Sequence, residues 1–209
     1  NKPIFVCGYP RSGTTIITHM LNLHDKIGSL NYSDLPFLKN IIFWKFFSRF
    51  YYSNINSSKR MHRDDIYINK NSPDAFEELI WSENLENYND KHFKILTKQY
   101  SNTKLETELK ININKVLYLR KKDRYLSKGN NYIFRLDYLI KIYSNPFILI
   151  VVRNPLLILA SSLRVDKLFR NIADENKYFI KELDFLCHKE FGYNKKNILN
   201  KVTSTNLNQ

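Results

Sequence analysis

Residues 8–15 read G-Y-P-R-S-G-T-T. Gly8 and Gly13 have the spacing of the phosphate-cradling loop G-x-x-x-x-G-K-[ST], but Thr14 stands where that loop carries lysine. An apolar run at 4–7 precedes the loop, and Ile16, Ile17, Met20, Leu21 and Leu23 follow it as an amphipathic stretch. Strand, tight turn and helix N-terminus in that order make an anion site, because backbone N–H groups and the positive end of the helix dipole face the ligand. Without a lysine to reach the β- and γ-phosphates, ordinary ATP or GTP hydrolysis is disfavoured. Arg11 supplies a positive charge from inside the loop instead.

A second stretch, FILIVVRNPLLILASSLRVDKL at 147–168, has the same grammar. An apolar run ends in Arg153, Asn154-Pro155 turns the chain, and a helix follows with Ser161 two turns on. Ligands of open α/β sheets bind beyond the carboxyl ends of the strands, so Arg153 is expected on the same rim as the 8–15 loop. An arginine fork suits phosphate, and a nearby hydroxyl adds a donor. The plainer readings are a surface arginine at a strand end and a small packing serine.

The elements that must hold these residues alternate. Helices are expected at 13–24, 35–52, 72–81, 105–121, 133–143, 156–168 and 174–191, and strands at 4–7, 125–128 and 147–152. The 147–152 run is apolar throughout, as in a strand covered on both faces. Residues 53–71 read as a polar loop and 194–209 as a frayed tail. The alternation predicts an α/β fold: one domain over 1–209, a parallel sheet flanked by helices in the three-layer sandwich of P-loop nucleotide kinases.

Composition narrows the partners. Lys and Arg number 33 against 20 Asp and Glu, a formal charge of +13, which favours an anionic ligand or surface. Helix-turn-helix, zinc and RNA-recognition signatures are missing from the sequence, so nucleic acid is not the expected partner. Residues 35–52 (LPFLKNIIFWKFFSRFYY) are aromatic and basic; they read as a core helix with snorkelling Lys39, Lys45 and Arg49, or as a membrane-surface helix. Cys7 and Cys187 make no disulfide framework, and Cys7 reads as a core residue. With neither a leader nor an 18-residue apolar run, the expected location is cytoplasmic, peripheral to the inner membrane face if 35–52 meets lipid.

PRSGTT after a strand, then strand–RNP–helix with Ser161 eight residues beyond Arg153, resembles the sulfotransferases that use PAPS, 3′-phosphoadenosine 5′-phosphosulfate. YSDLPFL at 32–38, KRMHRDD at 59–65, SPDAFEELIW at 72–81, LSKGNNYIFRLDYL at 126–139 and FLCHKEFGYNKK at 185–196 resemble a bacterial branch of that family. The resemblance implies a kinase-like fold that transfers a sulfuryl group without the P-loop lysine and without a metal. It implies that Arg11, Ser12, Gly13, Thr14 and Thr15 hold the 5′ end of PAPS, and that Arg153 and Ser161 hold its 3′-phosphate. The acceptor would be a hydroxyl of a carbohydrate or other small molecule. Members of this branch run on past the HKEFG-like segment, so the chain is expected to be truncated at its C-terminus.

Sulfuryl transfer, like phosphoryl transfer, needs positioning and charge stabilisation more than covalent work by the protein. Arg11 and the loop amides suit the leaving phosphate oxygen; Lys128 is a candidate second cation, and Asn130 a candidate for positioning substrate. A general base must reach the acceptor hydroxyl. Where several relatives carry glutamate this chain has Asn31-Tyr32, leaving Asp34, and His62 with Asp64 or Asp65, as candidates. Asp34 reads equally as a helix N-cap. The competing enzyme reading, a kinase with an altered loop, needs Mg²⁺ and an acid after an apolar strand, where this chain has Arg153. A non-catalytic anion or nucleotide binder is the third reading.

Overall fold

The computed structural model describes residues 2–35, 37–51, 57–86, 88, 90 and 92–197, with the side chains of 49–51 excepted. Pro36, residues 53–56 of the expected loop and the tail beyond 197 lie outside the described residues. In chain order the elements are β1 (Ile4–Cys7), α1 (Thr14–Asn22), β2 (Ile27–Gly28), 3₁₀ turns at Tyr32–Asp34 and Leu38–Asn40, and α2 (Ile41–Tyr51). A hairpin of β3 (Ser58–Lys59) and β4 (Tyr67–Ile68) precedes α3 (Glu77–Asn84) and α4 (Thr103–Arg120). Then come β5 (Arg124–Lys128), a 3₁₀ turn at Asn130–Phe134, α5 (Leu136–Tyr143), β6 (Phe147–Ile150), α6 (Pro155–Glu175) and α7 (Tyr178–Phe185).

Four strands form a parallel sheet in the order β2-β5-β1-β6. Strand alternation divides β1 between two cores. Phe5 and Cys7 face Trp81, Leu105, Leu109 and Tyr138 of α3, α4 and α5. Ile4 and Val6 face the other way, onto Ile17 and Leu21 of α1. Helices therefore cover both sides of β1, and the architecture is the three-layer α/β sandwich expected from the sequence. The register aligns Val6 with Lys128 and Cys7 with Ile150. The carboxyl ends of β5, β1 and β6 thus open onto one rim, and the 8–15 loop, Lys128 and Arg153 leave the sheet side by side.

Four expected elements are corrected, the first being the helix over 174–191: 174–175 end α6, and α7 covers only Tyr178–Phe185. The helix expected over 72–81 starts at Glu77. Asn69 N donates to Ser72 Oγ (3.0 Å), closing a turn, and Asp74 reaches across to Lys128 Nζ (2.7 Å), which keeps 72–76 out of the helix. The helix expected over 133–143 breaks at Arg135 (φ −131°), whose guanidinium makes bonds of 3.0 and 2.8 Å to the two carboxylate oxygens of Glu78. The strand expected to be covered on both faces is an edge strand: Phe147 and Ile150 are each more than half exposed. Its apolar run reflects contacts of Ile148 on one face and Leu149 on the other, not full burial.

The aromatic-basic stretch splits likewise. Leu38 and Ile41 are buried against α4, while Phe43, Phe46 and Phe47 are exposed. Lys45 donates to the Leu119 carbonyl, so α2 packs by one face and is not a fully buried helix. Among the described residues, no helix is long and apolar enough to cross a membrane.

Candidate active site

The 8–15 loop is built by local backbone geometry. Arg11 (φ 72°) and Gly13 (φ 109°) are left-handed, and Ser12 N donates to the Tyr9 carbonyl (3.0 Å). A non-glycine residue in that region is uncommon and collects at functional turns. At Gly8 a Cβ would stand 2.6 Å from the Val151 carbonyl and 2.7 Å from Ser12 Oγ, so only glycine lets the loop close on the neighbouring strand. α1 then starts at Thr14 with no side chain capping it, which leaves its first-turn N–H groups directed at the loop's concave side. Ser12 Oγ is buried and without a hydrogen-bond partner.

Arg11 joins the two anion motifs. Its Nε donates to Ser161 Oγ (3.0 Å), its Nη1 to Asp64 Oδ2 (2.8 Å), and its carbonyl accepts from Arg153 Nη1 (3.2 Å). Residues 11, 153 and 161 therefore meet at one place, on the rim where the sequence had put both the loop and Arg153. Arg153 has no carboxylate partner among the described residues, whereas Arg11 and Lys128 each have one.

Within the stretch expected to be a polar loop lies the β3–β4 hairpin. Left-handed Arg63 and Asp65, with Arg60 N bonded to the Ile66 carbonyl (3.1 Å), tighten its turn and carry Arg60, His62 and Asp64 inward. His62 lies against Phe169 (centroids 5.1 Å apart) and takes Arg60 Nη2 at its Nδ1 (3.0 Å). Burial first, and then the Arg60 charge, push its imidazole far below the usual histidine range, so His62 is neutral.

Across the cavity, Lys128 pairs with Asp74, which also accepts from Tyr32 Oη (3.2 Å). Lys128 and Arg60 hold the Asp74 carboxyl well below the usual carboxylate range, against the opposing effect of burial. Thr14 Oγ1 donates to Asn130 Oδ1 (3.4 Å), and Asn130 Nδ2 donates to Glu190 Oε1 (3.1 Å). Glu190 in turn lies 2.9 Å from His188 Nδ1, and His188 Nε2 is 3.2 Å from His62 Nε2. Burial raises the Glu190 carboxyl, but His188 and Asn130 outweigh it and bring it down to about 2.

His188 gets there through a helix ending. Past α7, Cys187 is left-handed (φ 54°), its N–H bonds to the Asp184 carbonyl (3.0 Å) and the His188 N–H to the Leu183 carbonyl (2.8 Å). This is a Schellman ending, with cysteine in the place that glycine usually fills.

These groups enclose a cavity of about 460 Å³, lined among others by Arg11, Thr14, His62, Lys128, Arg153 and His188. Gly13 and Thr15 line it as well; Ser12 and Ser161 do not, although Ser161 accepts from the lining Arg11. Asp65 sits at the hairpin's exposed edge, paired with Lys59. Asp34, a candidate base in the sequence, does not reach the cavity. It accepts from the Asn31 N–H (2.8 Å) in a capping box on its own 3₁₀ turn and pairs with Arg120, so it neither lines the cavity nor N-caps the helix expected over 35–52. Sequence reasoning missed His188, Glu190, Asp74 and Arg60 as site residues. Only their presence in the HKEFG-, SPDAF- and KRMH-like stretches marked them.

A loop with P-loop spacing but no lysine, faced by an arginine from the next strand, thus opens on a cavity at the carboxyl rim of an α/β fold. The sulfotransferase family model matches residues 3–190, and the chain belongs to the sulfotransferase family. No curated protein and no solved structure gives a significant match.

Proposed function

We propose that this sulfotransferase takes its sulfuryl group from PAPS and passes it to a hydroxyl of a carbohydrate or other small acceptor. The observation that carries the reading is the junction at Arg11, where the loop suited to the 5′ end of the donor meets Arg153 and Ser161, the pair suited to its 3′-phosphate. The buried, unpartnered Ser12 Oγ and the space that Gly8 leaves free fit a loop that closes on anionic oxygens. PAPS supplies an activated sulfuryl group whose leaving phosphate gains charge on transfer. Arg11, Lys128 and the loop N–H groups are fixed cationic and dipolar partners for that charge, and need little reorganisation when it develops. The cavity shields them from bulk water, which strengthens each interaction.

Calorimetry with adenosine 3′,5′-bisphosphate, against ATP with Mg²⁺, tests the donor. The bisphosphate should bind the wild-type protein and lose most of its affinity in Arg153→Ala, while ATP binds weakly in both. Equal or tighter ATP binding contradicts the proposal.

A further inference from the structure

The hydrogen-bond directions around the two cavity histidines are fixed by a group that never accepts. Arg60 is a permanent donor, so His62 Nδ1, 3.0 Å from Arg60 Nη2, must be an unprotonated acceptor. Neutral His62 then carries its proton on Nε2, and that N–H meets His188 Nε2 at 3.2 Å. His188 Nε2 is consequently bare in the resting state, and its proton sits on Nδ1, 2.9 Å from a Glu190 carboxylate oxygen in an ion-pair contact that lacks hydrogen-bond alignment. Proton polarity runs one way, from Arg60 through His62 to His188. Glu190, beside His188 Nδ1, accepts at its other oxygen from Asn130, which accepts from Thr14 of the phosphate loop.

The two histidines are therefore not equivalent. His62 is buried, has a guanidinium on one nitrogen and no carboxylate on the other. His188 is half-buried, lines the cavity, and has a carboxylate behind the nitrogen remote from His62. A proton added to His62 would face Arg60, with Arg11 and Lys128 nearby. One added to His188 Nε2 creates an imidazolium directly against Glu190.

From this arrangement we propose that His188 is the general base of the transfer, with Glu190 as the residue that positions it and His62 as the donor that fixes its tautomer. The inference rests on the sulfotransferase reading above and assigns the proton. The acceptor hydroxyl takes the place of His62 at His188 Nε2. Its oxygen forms the new bond to sulfur as the bond from sulfur to the 5′-phosphate oxygen breaks. The electron pair of that bond leaves on the phosphate, and the hydroxyl proton passes to His188 Nε2. Glu190 keeps its charge throughout and stabilises the imidazolium. Its branch to Thr14 ties the base to the loop that holds the donor.

Long-range nitrogen–proton NMR of the labelled protein without ligand reads both tautomers directly. The expected result is neutral His188 protonated on Nδ1 and neutral His62 on Nε2. In Glu190→Gln the preference of neutral His188 for the Nδ1 proton should weaken, while His62 stays protonated on Nε2. His188 protonated on Nε2, or a tautomer balance unmoved by Glu190→Gln, overturns the proposal. Hydrolysis of radiolabelled PAPS, with water as acceptor, supplies the kinetic arm. It should fall about 10²-fold or more in His188→Gln while bisphosphate affinity is kept; unchanged hydrolysis overturns the assignment. Failure to bind the bisphosphate at all would sink the donor reading and leave the tautomers where they are.

Discussion

Replacing Lys128 with methionine separates a charge that serves the reaction from one that serves the fold. Lys128 is buried at the end of β5 and its Nζ is 2.7 Å from Asp74 Oδ1. Removing one member of a buried pair leaves the other uncompensated, at a cost of about 3–5 kcal/mol. Asp74 keeps the Tyr32 hydroxyl at 3.2 Å, the Ala75 N–H at 2.8 Å and the nearby Arg60 charge, which puts Lys128→Met at the lower end, about 3 kcal/mol. For a chain of this size that lowers the unfolding midpoint by roughly 6–12 °C. The penalty should shrink in acid. With Lys128 present Asp74 has a depressed folded pKa, so its stabilisation is present above the unfolded value of about 3.9 and lost as pH falls below it; in Lys128→Met the burial that Lys128 had offset favours the protonated carboxyl, so the stranded charge is relieved as pH falls. Asp74→Asn in the same chain removes the stranded charge and should return about 2 kcal/mol, a coupling typical of contacting residues. Thermal and urea unfolding of the four proteins of the cycle give these numbers. If the folded double variant still cannot turn over PAPS, Lys128 has a role in the reaction beyond pairing Asp74. A loss under about 1 kcal/mol in Lys128→Met, or strict additivity of the two changes, would refute the reasoning.

Two further outcomes rest on contacts near the same site. Glu77 lies buried beneath it, bonded to the Tyr125 hydroxyl, and burial pushes its carboxyl up to about 8. The folded chain thus holds a proton that the unfolded chain releases between its ordinary 4.5 and about 8, so stability declines across that window as pH rises; Glu77→Gln should flatten the decline in urea titrations at pH 5 to 8. Gly8→Ala places a methyl group 2.6 Å from the Val151 carbonyl, which is backbone and cannot swing aside. We expect about 1–3 kcal/mol of destabilisation by thermal melt, with a loss of bisphosphate affinity as the loop shifts.

The parts of the site that the sequence reveals are those whose chemistry is local. The 8–15 loop and Arg153 come directly after strands, and parallel strands deliver the residues beyond their carboxyl ends to one edge; Lys128, the last residue of β5, arrives the same way. His188 and Glu190 depend on a chain reversal at Cys187, a left-handed position with no glycine to signal it. The inward set of the hairpin depends on β3 and β4, two residues each, too short for an alternation to register. Asp34 misled because an acid ahead of a helix reads equally as cap or base, and only the distant Arg120 decides it. β6 misled because an apolar run records hydrophobicity and not which sheet neighbour covers it.

A crystal structure with adenosine 3′,5′-bisphosphate tests the central claim most directly, that one nucleotide spans the junction at Arg11. The account predicts the 5′-phosphate against the N–H groups of residues 11–15 and the 3′-phosphate against Arg153 and Ser161. A bisphosphate bound with its ends reversed, or away from Arg153 altogether, would contradict it.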